Sequence, residues 1–378
     1  MAILSDICEY GKGKTKVSEL NKNTYISTEN MLANKGGVVV ASSIPSTKMV
    51  SKIMPGDVIV SNIRPYFKKI WYAREEGGCS NDVLIFRAKP GTDNKFLYYV
   101  LADDKFFDYV MSSVKGTKMP RGDKSAIMKY EVPEYSLNLQ HKIAKFLSRI
   151  DTKIEVNEKI NRNLSEQANL YYEEWKQSVI GKKIELSAVI DVRDGTHASP
   201  KAQEKGFPLV TSKHLLEYDV DLISPNKISQ KDYDKVNERS KVDYHDVLMS
   251  MIGTVGLVSF VSRKKVNFAI KNVALFKTSQ KQEFAYYLLM YLKSSETQKY
   301  IKACLAGSTQ QYISLAELRK MPILVPNVDE LVKFNAVAEP IIDLICANVK
   351  ENQRLVQIRD ILLPKLMSGE LDVSKLDI

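Results

Sequence analysis

Two stretches decide the fold: IDTKIEVNEKINRNL at 150–164 and IIDLICANVKENQRL at 341–355. In the first, Ile150, Ile154, Asn157, Asn161 and Leu164 stand at alternating steps of four and three. In the second, Ile341, Ile345, Asn348, Asn352 and Leu355 keep the same steps. A repeat of that kind is the seam of a coiled coil, and it puts all five side chains on one stripe of a helix. Both seams carry two asparagines in the middle. A buried Asn lowers stability and fixes register, so the recurrence of the pair predicts a tandem duplication whose two long helices pack on each other. Outward from the first core, Ile143 and Leu147 precede and Ala168, Tyr171 and Trp175 follow, predicting a helix from Leu139 to Trp175. Outward from the second lie Phe334, Ala338 and Leu362. Pro340 falls inside this second seam, where it removes a hydrogen bond and predicts either a kink or two pieces.

The sequence between the seams repeats as well, at a period of about 190 residues. Before the first seam, strand-like runs occur at Gly37–Ala41, Asp57–Asn62, Ile70–Ala73 and Val83–Ala88, then a helix from about Lys95 to Val114. Before the second, Asp246-Val247 answers Asp57-Val58, and Tyr286-Tyr287 answers Tyr98-Tyr99. Gly307-Ser308 answers Gly116-Thr117, and Pro326 answers Pro133. The expected fold class is α/β (α+β): two globular domains in tandem pseudo-repeat, separated by two long helices packed as an antiparallel coiled coil. The expected divisions are 1–137, 138–181, 182–327, 328–368 and a C-terminal tail, 369–378. That tail resembles the start of the second repeat, and is expected to pack near the N-terminal domain.

A length of 378 residues, 44% hydrophobic and 26% charged, suits a soluble chain of two or three domains. No apolar run is long enough to span a membrane and no signal segment opens the chain, so a cytoplasmic location is expected. Cys8, Cys79, Cys304 and Cys346 stand far apart, which argues against zinc and disulfide frameworks. The net charge of +10 favours a polyanionic partner.

Catalytic signatures are missing. Gly11-Lys12-Gly13-Lys14-Thr15 ends like a phosphate loop, but Cys8 stands where that motif needs its first Gly. There is no dinucleotide fingerprint, no G-x-S-x-G elbow, no H-E-x-x-H and no Asn/Asp-Pro-Pro-aromatic tetrad of an amino-methyltransferase. Asp191, Asp194 and His197 have metal-like chemistry, within a segment whose composition is that of a structured turn. Other loops suit nucleic acid. RPYFKK at 64–69 interleaves cations with aromatics, and 115–124 carries four cations. The counterpart of that second loop, GSTQQY at 307–312, exchanges cations for amides. Arg pairs with guanine and Gln with adenine, whereas Lys mainly neutralises phosphate. One fold bearing two loop chemistries suits a reader of two sequences; a protein-interaction scaffold built on the helix pair is the alternative.

The whole chain resembles the specificity subunit of a type I restriction-modification system. The resemblance rests on SNIRPYFKKI (61–70), DGTHASPK (194–201), MSMIGTVG (249–256), GSTQQ (307–311) and LLPKLMSGE (362–370). It implies no catalysis in this chain. Each globular domain would read one half of a split double-stranded DNA target through the major groove, and the helices would act as a ruler. A 35-residue helix is about 50 Å long, against roughly 34–36 Å for one DNA turn. The resemblance also implies docking of two modification subunits, which use S-adenosylmethionine, and of restriction (motor-nuclease) subunits, which use ATP and Mg. It places Arg64, Tyr66, Lys68, Lys69, Thr117, Lys118 and Arg121 near DNA in the first domain. In the second it places Thr196, His197, Lys201, Thr254, Ser308, Thr309, Gln310 and Gln311 there. Leu257 departs from the family habit of a cation after Gly256, and in the first domain Gly11–Thr15 stands in for the missing Asp-Gly-Thr-His element.

Overall fold

The computed structural model describes residues 2–114 and 119–373. It divides into two compact units, Met1–Ile154 with Arg354–Ile378, and Glu155–Gln353. Each is built on the same antiparallel four-stranded sheet. In the first unit the strand order is Cys8–Tyr10, Val83–Ala88, Val58–Ser61, Ile70–Tyr72. In the second it is Val192–Asp194, Val273–Phe276, Val247–Ser250, Val258–Phe260. Val58 pairs with Phe86, and Val247 with Phe276. The two central strands of each sheet are apolar on both faces because both faces are covered. Leu84, Phe86, Val58 and Val60 turn towards helices, while Ile85 and Ile59 turn towards smaller strands and loops. In the second unit Ala274, Phe276, Val247 and Met249 face the helices, and Leu248 and Leu275 face the other side. The period-2 alternation thus sorts one continuous apolar run into two cores.

The expected helix from Lys95 to Val114 is two helices, Asn94–Ala102 and Asp104–Ser112. Asp103 stands extended between them and accepts a hydrogen bond from Lys105 N, so a capping residue ends one helix and starts the next. The second unit repeats the break at Ser294, between Ala285–Lys293 and Ser295–Ala303, with Ser294 accepting from Thr297 N. The run Gly37–Ala41 is not a strand; only Val38 bridges, to Met31. Gly37, at φ 78°, opens it in a left-handed turn rather than an extended strand.

A buried carboxylate sits at the same place in each sheet. Asp57 accepts both Nε and Nη2 of Arg87, at 2.8 and 2.7 Å. Asp246 accepts Nζ of Lys277 at 2.6 Å. Each also ties the turn before it, taking Met54 N and Asp243 N respectively.

The long helices run over Leu137–Ser178 and Val328–Met367. Within the second unit they pair antiparallel. Asn157 Nδ2 donates to Asn352 Oδ1 at 2.8 Å, and Asn348 Nδ2 to Asn161 Oδ1 at 2.8 Å. Further along, Tyr171 stacks on Phe334 with 5.5 Å between ring centroids. Within the first unit, Arg359 reaches Asp151 at 2.9 Å, and Ile143 and Leu147 share a core with Leu363 and Leu366. Ile150, Ile154, Leu164 and Leu355 are half-buried, while Asn157 and Ile345 are buried. The fully buried residues at two further positions are Ile342 and Leu363, not Ile341 and Leu362, which are half-buried. A 3.6-residue helix drifts against a 3.5-residue repeat, and the stripe slips by one position. The second helix is continuous through Pro340, whose exposed position leaves the carbonyl of Ala336 to water. Val373 is buried in the first unit's core, and Tyr135 Oη donates to Leu366 O at 2.9 Å. Among the described residues no helix is long and apolar enough to cross a membrane.

Candidate nucleic-acid interface

In the first unit the candidate surface is the turn between Val58–Ser61 and Ile70–Tyr72. Pro65 starts a short 3-10 turn over Pro65–Phe67, and both flanking cations are left-handed: Arg64 at φ 49° and Lys68 at φ 51°. That backbone holds Tyr66 and Phe67 out, half exposed, with ring centroids 4.7 Å apart. Arg64 is exposed, and among the described residues its side chain has no partner. Lys68 lies 2.8 Å from Asp104, which Lys35 also meets at 2.9 Å. Those two ammoniums outweigh burial and hold the Asp104 carboxyl below its ordinary pKa. Lys69 instead turns inward and donates to Thr28 O at 2.6 Å, and burial lowers its pKa. Its charge therefore faces the protein more than the solvent.

Arg121 belongs to the same surface. Its backbone bridges to Ile63, and its guanidinium meets Asp82 at 2.8 Å while staying 55% exposed. Beside it lies an open hollow of about 400 Å³, lined by Asn62, Asn81, Asp82, Arg121, Asp123 and Lys124 among others. Thr117 and Lys118 lie outside the described residues. Gly11–Thr15 leaves the first strand of the sheet, with Gly11 N donating to Ile85 O, and enters the strand Lys14–Lys16.

The second unit brings three segments to the equivalent end of its sheet. The turn after Ser250 has Gly253 at φ 79° and Gly256 at φ 91°, with Thr254 exposed between them. The segment Ala306–Tyr312 closes on itself through an Ala306–Tyr312 bridge and docks on that turn. Gly253 N donates to Gln311 O at 3.2 Å, and Ile252 bridges to Tyr312. Ser308, Thr309, Gln310 and Gln311 are all exposed on it. The third segment carries His197, whose Nε2 lies 2.9 Å from Asp194 Oδ2 and whose Nδ1 lies 2.7 Å from Asn272 Oδ1. Arg239 also pairs with Asp194, and Asp191 turns away to Arg193 at 2.6 Å. Asp194 is thus the anchor of a structured turn, with His197 as its exposed tip. Thr196 bridges to Lys271 and its hydroxyl accepts from Ala198 N. Lys201 is exposed, and no hydrogen bond or ion pair among the described residues ties it to this group. Sequence reasoning passed over Lys35, Asn62 and Tyr312. Tyr312 alone had a visible signal, as an aromatic ending the amide-rich segment.

A family model described as type I restriction modification DNA specificity domain matches residues 2–166 and again 185–342. The type I restriction enzyme MjaIX specificity subunit of Methanocaldococcus jannaschii is 26% identical, over 76% of this chain and 71% of that protein. The type I restriction enzyme HindI specificity subunit of Haemophilus influenzae is 24% identical, over 92% of this chain and 94% of that protein. The crystal structure of a type I restriction-modification S subunit from M. genitalium superposes with a TM-score of 0.58. It covers 99% of this chain and 96% of that one at 17% identity, a likeness of fold.

Proposed function

The chain belongs to the type I restriction modification DNA specificity family, and from that premise we propose that each unit reads one half of a split, asymmetric DNA target. It is a non-catalytic component of a type I complex that acts with methyltransferase and restriction subunits. The observation that carries the two-half reading is the repeat of one sheet end with unlike side chains. Arg64, Tyr66, Lys68 and Arg121 occupy it in the first unit, and Thr254, His197, Gln310 and Gln311 in the second. Identical heads would read a symmetric target; unlike heads read an asymmetric one. Exposed cations such as Arg64 position the phosphates, and the hydroxyl and amide groups reach base edges. The paired helices set the spacing between the halves and dock two methyltransferase subunits. S-adenosylmethionine then belongs to those partners, and ATP and Mg to the motor-nuclease subunits.

The test is co-expression of the full chain with its cognate modification subunit, followed by sequencing of host DNA for adenine methylation. One split, asymmetric motif, absent when the chain is deleted, is the expected result. Exchange of residues 183–326 for those of a relative should alter one half only. A stable complex that methylates no defined motif would refute the reading.

A further inference from the structure

Resting on that proposed reading, we infer that Arg121 and Tyr312 are one and the same specificity-determining position, used once in each half of the target. Three backbone contacts establish the equivalence. Ser61 pairs with Val83, and Ser250 with Val273. Two residues after each serine, Ile63 bridges to Arg121 and Ile252 to Tyr312. One residue further, Arg64 N donates to Pro120 O at 2.9 Å, and Gly253 N to Gln311 O at 3.2 Å. Both Arg64 and Gly253 have positive φ. The frame that presents the side chain is therefore the same, while the side chain is a guanidinium in one unit and a phenol in the other. Both project from the sheet end, Arg121 at 55% and Tyr312 at 45% exposure.

The residues beside the position change with it. By the same register Asn62 corresponds to Met251 and Asp82 to Asn272. Arg121 is braced by Asp82 over a hollow whose floor includes Asn62. Asn62 is 8% exposed, and its Oδ1 has no hydrogen-bond partner among the described residues. Where the first unit has Asn62 the second has buried, apolar Met251, and Asn272 is engaged by His197. A braced fork of donors suits the O6 and N7 acceptors of guanine. An exposed phenol offers a ring face to a thymine methyl and a single hydroxyl to a base edge. The first half is thus assigned a guanine at this position and the second an A·T pair.

The test uses the full chain in complex with its modification subunit, with methylated motifs read from host DNA. Arg121→Lys and Arg121→Ala should relax one base of the first half, lowering its guanine preference by about 5- to 150-fold, with the second half unchanged. Tyr312→Arg should shift one base of the second half, with the first unchanged. The lysine variant keeps the charge beside Asp82, so a change in motif there is not a consequence of misfolding. Motifs identical to wild type in all three variants would overturn the inference, as would a loss of methylation spread evenly over all sites, which marks a phosphate contact. If the unaltered chain itself directs no split motif, the two-half reading fails instead.

Discussion

The two buried carboxylates give a sharp test of the duplicated sheet, because their partners differ in one respect. Lys277 is 3% exposed and Asp246 is wholly buried. Arg87 is 31% exposed, with Asp57 at 2%. Asp246→Ala leaves a buried ammonium with Asp243 at 2.8 Å and Lys241 O at 3.0 Å, and takes the acceptor from Asp243 N and Ser279 N. Removing one partner of a buried pair costs about 3–5 kcal/mol. Asp57→Ala leaves Arg87 able to turn to water, and the loss reduces to charged hydrogen bonds, about 2 kcal/mol. For a unit of this size, about 2–4 °C per kcal/mol puts the loss at roughly 6–20 °C for Asp246→Ala and 4–8 °C for Asp57→Ala. Calorimetry and urea titration of the full chain read both. Lys277→Met added to Asp246→Ala should recover much of the loss, because the buried ammonium goes with its buried carboxylate and the partly exposed Asp243 keeps Lys241 at 2.9 Å. Equal losses for the two alanine variants, or no recovery in the double variant, would refute the buried ammonium's loss of its buried carboxylate as the cause.

The seam offers a second test. Asn157 is buried with its Oδ1 lacking a hydrogen-bond partner among the described residues, so Asn157→Leu with Asn352→Leu should raise stability by about 1–3 kcal/mol, read as a higher urea midpoint. Asn157→Leu alone takes its donor from Glu351 and Asn352, and should fall below the double variant; parity would deny the pair a joint role. Burial lowers the pKa of both His214 and His245 below the ordinary 6.5, with Lys213 adding to the effect at His214. The unfolded chain then binds more protons, so stability is full above pH 6.5 and falls as pH drops towards the folded values. A His214→Gln/His245→Asn variant should melt with a shallower decline from about pH 7.5 to 5.5, and an unchanged slope would exclude these two groups. On DNA, Arg64→Ala should weaken binding of the complex alike on all sequences and lower the salt slope by about one. Lys68→Ala should lower it less, since Asp104 already offsets that charge; anisotropy across a salt series separates them.

Much of the architecture was legible in the sequence, for physical reasons that can be named. The seam shows because a helix that packs on a partner must repeat its apolar residues at that partner's spacing, and the Asn pairs mark both copies. The central strands show as VIV and VLIF because two covered faces demand unbroken apolar runs. Gly77–Cys79 is invisible as a strand: a Cβ at Gly77 would stand 2.4 Å from Thr24 O, so the close approach that makes it strand also excludes strand-forming residues. The break at Asp103 is hidden for a similar reason, since helical apolar spacing continues across it. At the interface, composition exposed the loops but not their internal pairings. Nothing in KK at 68–69 says that one lysine faces Asp104 and the other the Thr28 carbonyl. The offset that carries Gly116 onto Gly307 also carries Arg121 onto Tyr312, and the bridges to Ile63 and Ile252 supply the backbone frame that spacing alone leaves open.

The left-handed residues of the first turn carry a consequence for how such a protein can diverge. Arg64 and Lys68 hold a backbone that costs an L-residue about 1–2 kcal/mol each, where the second unit has Gly253 and Gly256. Exchange of Arg64 for glycine therefore runs downhill in folding free energy, whereas at Lys68 the relief is offset in part by loss of the Asp104 ion pair. The reverse exchange runs uphill, and unequally. A side chain at Gly253 meets nothing within 4 Å, whereas one at Gly256 meets Gln298 at 2.8 Å, the same residue that ties down the Gly256 carbonyl. Selection for stability alone would favour glycine at Arg64 and would not restore the cation. Its presence in one copy is a standing debt against the fold, sustained only while something outside the chain rewards it.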